Sequence, residues 1–67
     1  MTRYDWNLLD KRANFAWTEP EGDQWQAEEE PAPGRLGWLA AGGWCKRISG
    51  VPNYPCADWQ DSLEARP

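Results

Sequence analysis

The sequence predicts a small α+β domain, in which a short antiparallel sheet is followed by a C-terminal helix. Three patterns lead to this prediction. Two apolar segments flank a glycine-rich reversal at 35–48, apolar residues recur at helical spacing at 56–66, and side chains alternate as in a strand at 14–18. The 67 residues suffice for one domain, 1–67, near the lower size limit for an independent hydrophobic core.

Tryptophan supplies most of the apolar surface that this core would need. The sequence has six Trp, two Tyr and one Phe, against five Leu, one Ile and one Val. Each buried aromatic ring removes about 150–250 Å² from water, so a few rings can replace many aliphatic side chains. We therefore expect a core formed by Trp6, Trp17, Trp38 and Trp59, together with Leu9, Phe15, Leu36, Ile48 and Leu63.

The first predicted elements are a short helical segment and a strand. Asp5 is a candidate N-cap, and the residues from Trp6 onward allow one or two helical turns. At 14–18, Phe15 and Trp17 would share one face, because side chains alternate between the two faces of an extended backbone. This segment would add a third strand to the sheet.

The next stretch, 19–33, is acidic and contains no Lys or Arg. Its prolines prevent a continuing helix, and a Pro-Glu-Gly sequence indicates a turn. We predict a surface loop or an edge segment, which Trp25 attaches to the core. The six carboxylates of this stretch are Glu19, Glu21, Asp23, Glu28, Glu29 and Glu30.

The remaining elements are a hairpin and a helix. The glycine pair 42–43 would supply the positive φ angles that a tight reversal within 35–48 requires. The segment 56–66 is predicted to be helical because its apolar residues recur at i, i+3 and i+7, with acidic residues early and an arginine late. The apolar stripe of this helix would consist of Cys56, Trp59 and Leu63.

Neither a catalytic site nor a metal site is expected. The chain has no histidine, the side chain that most often transfers protons near neutral pH. Two cysteines without histidine cannot complete a structural zinc site. The run Glu28, Glu29 and Glu30 lacks the spaced ligands of a calcium loop. We therefore expect no enzymatic activity and no cofactor.

The two cysteines, Cys45 and Cys56, allow two interpretations. The N-terminus carries no secretory pattern, so the chain is expected in the cytoplasm, where cysteines usually stay reduced. If the two thiols do pair, the disulfide closes a loop of about a dozen residues and contributes at most ~3 kcal/mol. The sequence leaves open whether they are small core residues or one disulfide.

The charge of the chain limits its partners. A net charge of −4 repels both phosphate backbones and anionic lipid surfaces, so direct binding of nucleic acid is disfavoured. No apolar run approaches the ~20 residues that a membrane-spanning helix needs, and no membrane association is expected. The balance favours a partner with a basic surface, which would be a larger protein or nucleoprotein.

The acidic stretch is the main functional candidate. In an extended chain its first three carboxylates would repeat every ~6.6 Å along one face, a scale similar to the phosphate spacing of duplex DNA. Trp25 and Trp44 are the tryptophans expected to be exposed, and Trp is enriched at interface hot spots. The predicted partner-binding residues are therefore Glu19, Glu21, Asp23, Trp25, Glu28, Glu29, Glu30 and Trp44.

In size, acidity and lack of catalytic residues, the chain is similar to the short acidic proteins that bacteriophages make against host machinery. Anti-CRISPR proteins and DNA-mimic inhibitors are examples. The resemblance implies a non-enzymatic inhibitor that occludes a cationic, nucleic-acid-binding site, in the cytoplasm of a bacterial host cell if a phage encodes it. Two alternatives stay open: a disulfide-stapled, Trp-rich module that binds carbohydrate or peptide, and a structural subunit of a viral assembly.

Overall fold

The computed structural model describes residues 3–51 and 53–67, and these residues fold as an all-β domain. The described part of the chain contains no α-helix, only one 3₁₀ turn at Trp59–Asp61. The predicted α+β class is therefore wrong. None of the described segments is a helix long and apolar enough to cross a bilayer. The strands are β1 (Phe15–Thr18), β2 (Gln24–Ala27), β3 (Ala32–Pro33), β4 (Trp38–Leu39), β5 (Cys45–Arg47) and β6 (Glu64–Ala65).

Four of these strands form an antiparallel sheet in the order β5-β2-β1-β6, and β3 and β4 form a separate two-stranded hairpin. The strand predicted at 14–18 is present as β1, whose aromatic and β-branched residues suit a pleated, half-buried surface. Across the sheet, Trp17 lies opposite Trp25, and Trp25 lies opposite Arg47. These three side chains therefore form one row on the same face of the sheet.

The opposite face of the sheet packs against the N-terminal segment. The cluster on this side contains one tyrosine and four aliphatic side chains, and no fully buried tryptophan. Trp6 and Trp44 pack against its border and remain half-buried. The buried members of the cluster are Tyr4, Leu9, Ala13, Ala16 and Ile48.

The face that carries Trp17 is covered by the β3–β4 hairpin and the 3₁₀ turn. Trp17 is 2% exposed. The Trp38 indole N–H points to the carbonyls of Thr18 and Trp59, at 3.2 Å from each. The rings of Trp38 and Trp59 meet edge to face, with centroids 5.8 Å apart. Aromatic contacts and indole hydrogen bonds thus attach both covering elements to the end of β1.

A buried polar network joins β1 to both ends of the described chain. The Thr18 N–H donates to Ser62 Oγ at 2.9 Å, and Ser62 is fully buried. The Tyr4 hydroxyl lies 2.8 Å from Thr18 Oγ1 and donates to the Ser62 carbonyl at 2.9 Å. Burial raises the pKa of Tyr4, so its hydroxyl keeps the proton that this network uses. No pattern in the sequence indicates this role of Ser62.

The turn between β1 and β2 depends on Gly22. Its φ of 103° lies in the left-handed region, which glycine adopts without a steric penalty. A side chain at this position would also overlap the backbone of Tyr54. The Cys56 N–H donates to the Pro20 carbonyl at 2.8 Å. Residues 53–56 therefore pack closely against this turn.

The hairpin predicted at 35–48 does not form. Its first half, β4, pairs with β3, and its second half, β5, pairs with β2. A shorter reversal forms instead, in which the Gly34 N–H donates to the Gly37 carbonyl at 2.8 Å. The glycine pair 42–43 has positive φ angles, but it belongs to the connection between the two sheets.

The helix predicted at 56–66 is also wrong. After the 3₁₀ turn, the Ser62 side chain bonds to β1, and the following residues pair with β1 as strand β6. The Arg66 N–H donates to the Asn14 carbonyl at 2.7 Å and continues this pairing. Sheet pairing satisfies the backbone groups that a helix would have satisfied internally, and so overrides the helical spacing.

The helical turns expected after Asp5 are replaced by isolated turns. The Leu8 N–H donates to the Asp5 carbonyl at 3.0 Å, and the Leu9 N–H to the Trp6 carbonyl at 3.4 Å. The Asp5 carboxylate accepts the N–H of Asn7, two residues further on, at 3.2 Å. This contact is an Asx turn rather than a helix cap.

Candidate functional site

A groove of about 420 Å³ lies between the β1–β2 turn and the β3–β4 hairpin. We call it the hairpin groove. Its lining contains three carboxylates and no Lys or Arg, although Arg47, just outside the lining, pairs with Asp23 at 3.0 Å. The turn contributes Glu19, Glu21, Asp23 and the adjoining Trp25, and the hairpin contributes Leu36, Gly37, Trp38 and Leu39.

The hairpin wall of the groove is apolar and exposed. Leu36 is 91% exposed and Leu39 is 62% exposed. The expectation that Leu36 belongs to the core is therefore wrong. Single exposed leucines are common on protein surfaces, but here two of them line the same groove. Both lie on a hairpin whose inner side is already held by Trp38, so the domain does not use their apolar surface for its own core.

Glu19 attaches the hairpin to the sheet. Its carboxylate accepts the Trp17 indole N–H at 3.0 Å and the Trp38 backbone N–H at 2.9 Å. Gly37 has a φ of 152°, which L side chains rarely adopt, and a side chain there would also approach Glu19 Oε1 to 2.6 Å. Predicted as a partner-binding residue, Glu19 has its oxygens occupied by bonds within the domain.

The first three carboxylates of the acidic stretch do not line an extended segment. The Glu19 N–H donates to the Asp23 carbonyl at 2.8 Å, which closes a tight turn. The DNA-like spacing expected for an extended chain is therefore absent. Asp23 pairs with Arg47 at 3.0 Å and accepts the Asn53 amide at 2.7 Å. Glu21 is exposed and makes no hydrogen bond or ion pair within the described residues.

The other three carboxylates lie outside the groove, because β2 separates them from the turn. β2 is an inner strand of the sheet, so the stretch 19–33 is not one loop or edge segment. The Glu28 N–H donates to the Trp44 carbonyl at 3.2 Å, and its carboxylate lies 3.7 Å from Arg12. Glu29 and Glu30 follow as exposed residues. The structure thus divides the predicted acidic surface into two.

The two tryptophans predicted as exposed anchors have different surroundings. Both Trp25 and Trp44 are half-buried, as are several tryptophans assigned to the core. The guanidinium of Arg12 lies 5.0 Å from the ring centre of Trp44, which is therefore engaged within the domain. The Trp25 indole makes no hydrogen bond, ring contact or cation–π contact within the described residues. Trp25 is the one of the two that remains available in the groove.

Both cysteines are free thiols in this structure, so no disulfide contributes to the fold described above. Cys56 Sγ lies 3.2 Å from Asp58, whose carboxylate also pairs with Arg3 at 3.0 Å. Burial and the hydrogen bond to Asp58 raise the pKa of Cys56. The hydrogen bond from Arg3 is the main cause that lowers the pKa of Asp58 to about 2. Cys56 is thus held as a protonated thiol, which is a poor nucleophile.

A second cavity, of about 460 Å³, lies between the N-terminal segment and strands β2 and β5. Its floor includes Leu9 and Ile48, but its rim carries charges of both signs. Two of its carboxylates, those of Asp5 and Asp10, accept backbone N–H groups from neighbouring residues. No group of Cys, Asp and Glu side chains in residues 3–51 and 53–67 is arranged to hold a metal ion.

Comparisons with protein families, with curated proteins and with solved structures find no match to this chain. Function must therefore be inferred from the geometry of the surface. The hairpin groove combines exposed apolar side chains, an available aromatic ring and a net negative charge.

Proposed function

We propose that this domain is a non-enzymatic protein-binding module, whose hairpin groove binds a basic and partly apolar surface of a larger protein or nucleoprotein. The observation that carries this proposal is the exposure of Leu36 and Leu39 beside a set of carboxylates. Apolar side chains at the centre of a contact and charges at its rim are the usual composition of a protein interface.

The two leucines can supply a substantial part of the binding energy. Burying one leucine side chain fully contributes about 1.5–3 kcal/mol. Because Leu36 is 91% exposed, nearly all of its surface is available for burial by a partner. The hairpin that carries it is fixed to the sheet through Glu19 and Trp38, so little ordering entropy is lost on binding.

The charge of the groove selects the partner. The lining has three carboxylates, of which Asp23 is paired with Arg47, and the whole chain carries a net charge of −4. This field attracts a basic surface and repels nucleic acid. A domain of this size that covers a basic surface would exclude nucleic acid from it. The inhibitor of phage type, suggested by the size and acidity of the chain, is the specific form of this proposal.

Affinity capture from a bacterial lysate tests the proposal when three baits are compared: the unchanged protein, Leu36→Ser and Leu8→Ser. Leu8 is 81% exposed and lies outside the hairpin groove, so it provides a matched control. We expect a protein that the unchanged bait and Leu8→Ser retain and that Leu36→Ser loses. Equal retention by all three baits, or no specifically retained protein, would contradict the proposal.

Adding excess duplex DNA to the same capture separates the two forms of the proposal. Displacement of the Leu36-dependent partner by DNA would support occlusion of a nucleic-acid-binding site. A partner that stays bound in the presence of DNA would support a protein-binding module without that inhibitory role. Light scattering of the purified domain is the accompanying control, because self-association through the exposed leucines would also depend on Leu36.

A further inference from the structure

We propose that the hairpin groove recognises an arginine side chain of its partner, with the guanidinium placed against Trp25 and the carboxylate of Glu21. This inference rests on the proposed function and names the group that the groove binds. It is drawn from the way this chain surrounds its other tryptophans.

Two tryptophans outside the groove are each paired with an arginine and accompanied by a carboxylate. The Arg12 guanidinium lies 5.0 Å from the ring centre of Trp44, and 3.7 Å from the carboxylate of Glu28. The Arg66 guanidinium lies 5.1 Å from the ring centre of Trp6. The Trp6 indole N–H donates to the Glu64 carboxylate at 3.3 Å. In the first cluster the guanidinium contacts both the ring and the carboxylate. In the second it contacts the ring and donates to two backbone carbonyls, while the carboxylate accepts the indole N–H.

The groove has the ring and the carboxylates of such a cluster but no arginine on the ring. Trp25 lies in the groove with Glu21 and Asp23, and no guanidinium of the described residues lies over its ring. Arg47 lies directly across the sheet from Trp25, but it pairs with Asp23 at 3.0 Å. Glu21 is exposed and makes no ion pair within residues 3–51 and 53–67. One aromatic ring and one carboxylate are thus available to an external cation.

Arginine fits these groups better than lysine does. Its planar guanidinium stacks on an aromatic face and can donate two parallel hydrogen bonds to a carboxylate. It is also less strongly hydrated than an ammonium group, so it enters a partly apolar groove more readily. The exposed Leu36 and Leu39 would contact apolar residues on either side of the arginine.

An NMR titration tests the inference directly. The probes are three blocked tripeptides, acetyl-Leu-Arg-Leu-amide and its analogues with lysine or with citrulline, which is uncharged and nearly isosteric with arginine. The indole N–H signal of Trp25, assigned with Trp25→Phe, reports binding. We expect the arginine peptide to shift this signal and to bind about three- to tenfold more tightly than either analogue.

Two variants identify the carboxylate that takes part. Glu21→Gln should weaken binding of the arginine peptide about two- to fivefold, because one charge-assisted hydrogen bond is lost. Glu30→Gln removes an equal charge from an exposed residue outside the groove, and it should leave the affinity within about twofold of the unchanged protein.

Three results would overturn the inference: equal binding of the citrulline peptide, shifts centred on Trp44 instead of Trp25, or no binding by any of the peptides. None of these results affects the Leu36-dependent capture of a macromolecular partner. If capture depends on Leu36 while the peptides fail, the protein-binding function stands and the arginine inference is wrong. If capture fails and the arginine peptide still binds selectively, the groove binds a guanidinium, but the Leu36-dependent binding of a macromolecular partner is wrong.

Discussion

Replacing Ser62 with alanine would test the buried network that connects β1 with the C-terminal segment. Ser62 Oγ accepts the buried Thr18 N–H at 2.9 Å, and the carbonyls of Trp59, at 2.6 Å, and Thr18, at 3.2 Å, are acceptors for its proton. Alanine has nearly the same volume as serine, so the substitution removes hydrogen bonds without opening a sizeable cavity. The loss of stability should therefore measure the network rather than the packing.

The size of the expected loss of stability depends on which hydrogen-bonding groups still have a partner in Ser62→Ala. The Trp59 carbonyl also accepts the Ser62 N–H at 3.1 Å and the Trp38 indole N–H at 3.2 Å, so it stays satisfied. The Thr18 N–H, in contrast, is left buried without an acceptor. An unsatisfied buried donor costs about 1–3 kcal/mol. Since a domain of this size has a stability on the order of 3–10 kcal/mol, the variant should lose a large part of it.

Urea denaturation followed by tryptophan fluorescence measures this loss. Ser49→Ala is the matched control, because Ser49 is exposed. We expect Ser62→Ala to lower the free energy of unfolding by about 1–3 kcal/mol, and Ser49→Ala to change it by less than about 0.5 kcal/mol. A loss below about 0.5 kcal/mol in Ser62→Ala would refute the assignment of Ser62 as the acceptor of a buried amide.

Three further predictions concern the turn and the thiol cluster. Gly22→Ala should lower the free energy of unfolding by at least about 2 kcal/mol in the same assay, because the alanine side chain would overlap Tyr54. Gly42 has a similar φ but open space around it, so Gly42→Ala should lower it by only about 1–2 kcal/mol. The pKa of Asp58 is about 2 in the folded state, against an ordinary value of 3.8. This carboxylate therefore stabilises the fold above pH 3.8, and its contribution is lost as the pH falls toward 2. A carboxyl ¹³C titration of the folded protein with a midpoint near 3.8 would contradict this. The raised pKa of Cys56 should make its alkylation at pH 8 slower in the folded chain than in the urea-unfolded chain, when Cys45 is replaced by serine. Asp58→Asn should speed up the alkylation of the folded chain. Equal rates in these three samples would contradict the raised pKa.

A sequence prediction is correct where the local pattern determines the secondary structure, and it is wrong where pairing with a distant strand determines it. β1 was predicted because alternation within 14–18 already defines a strand. The segment 56–66 has the spacing of a helix, yet β1 needs a partner on that side, and the sheet hydrogen bonds form there instead. No local pattern indicates which distant strand will pair, so the glycine reversals near 34–37 and 42–43 could not be distinguished either.

The candidate site was predicted in part. The residue types of Trp25 and Glu21 indicate partner-binding residues, and both lie in the hairpin groove. Leu36 was missed because apolar character alone suggests burial, whereas its position at a hairpin tip follows from the pairing of β3 with β4. Glu19 was selected for its charge, but its oxygens bond within the domain. Charge indicates that a carboxylate lies near the surface and does not reveal its hydrogen-bond partners.

The pairing of β1 with β6 also has a consequence for the folding kinetics. β1 is completed by residues almost fifty positions later in the chain, as in the hydrogen bond between Thr18 and Ser62, which are 44 residues apart. A chain dominated by such contacts must close large loops before it gains stability, and folding rates fall as contact order rises. We expect this domain to fold in milliseconds to seconds rather than in microseconds. Until β6 pairs, one edge of β1 is unpaired and open to association with other chains.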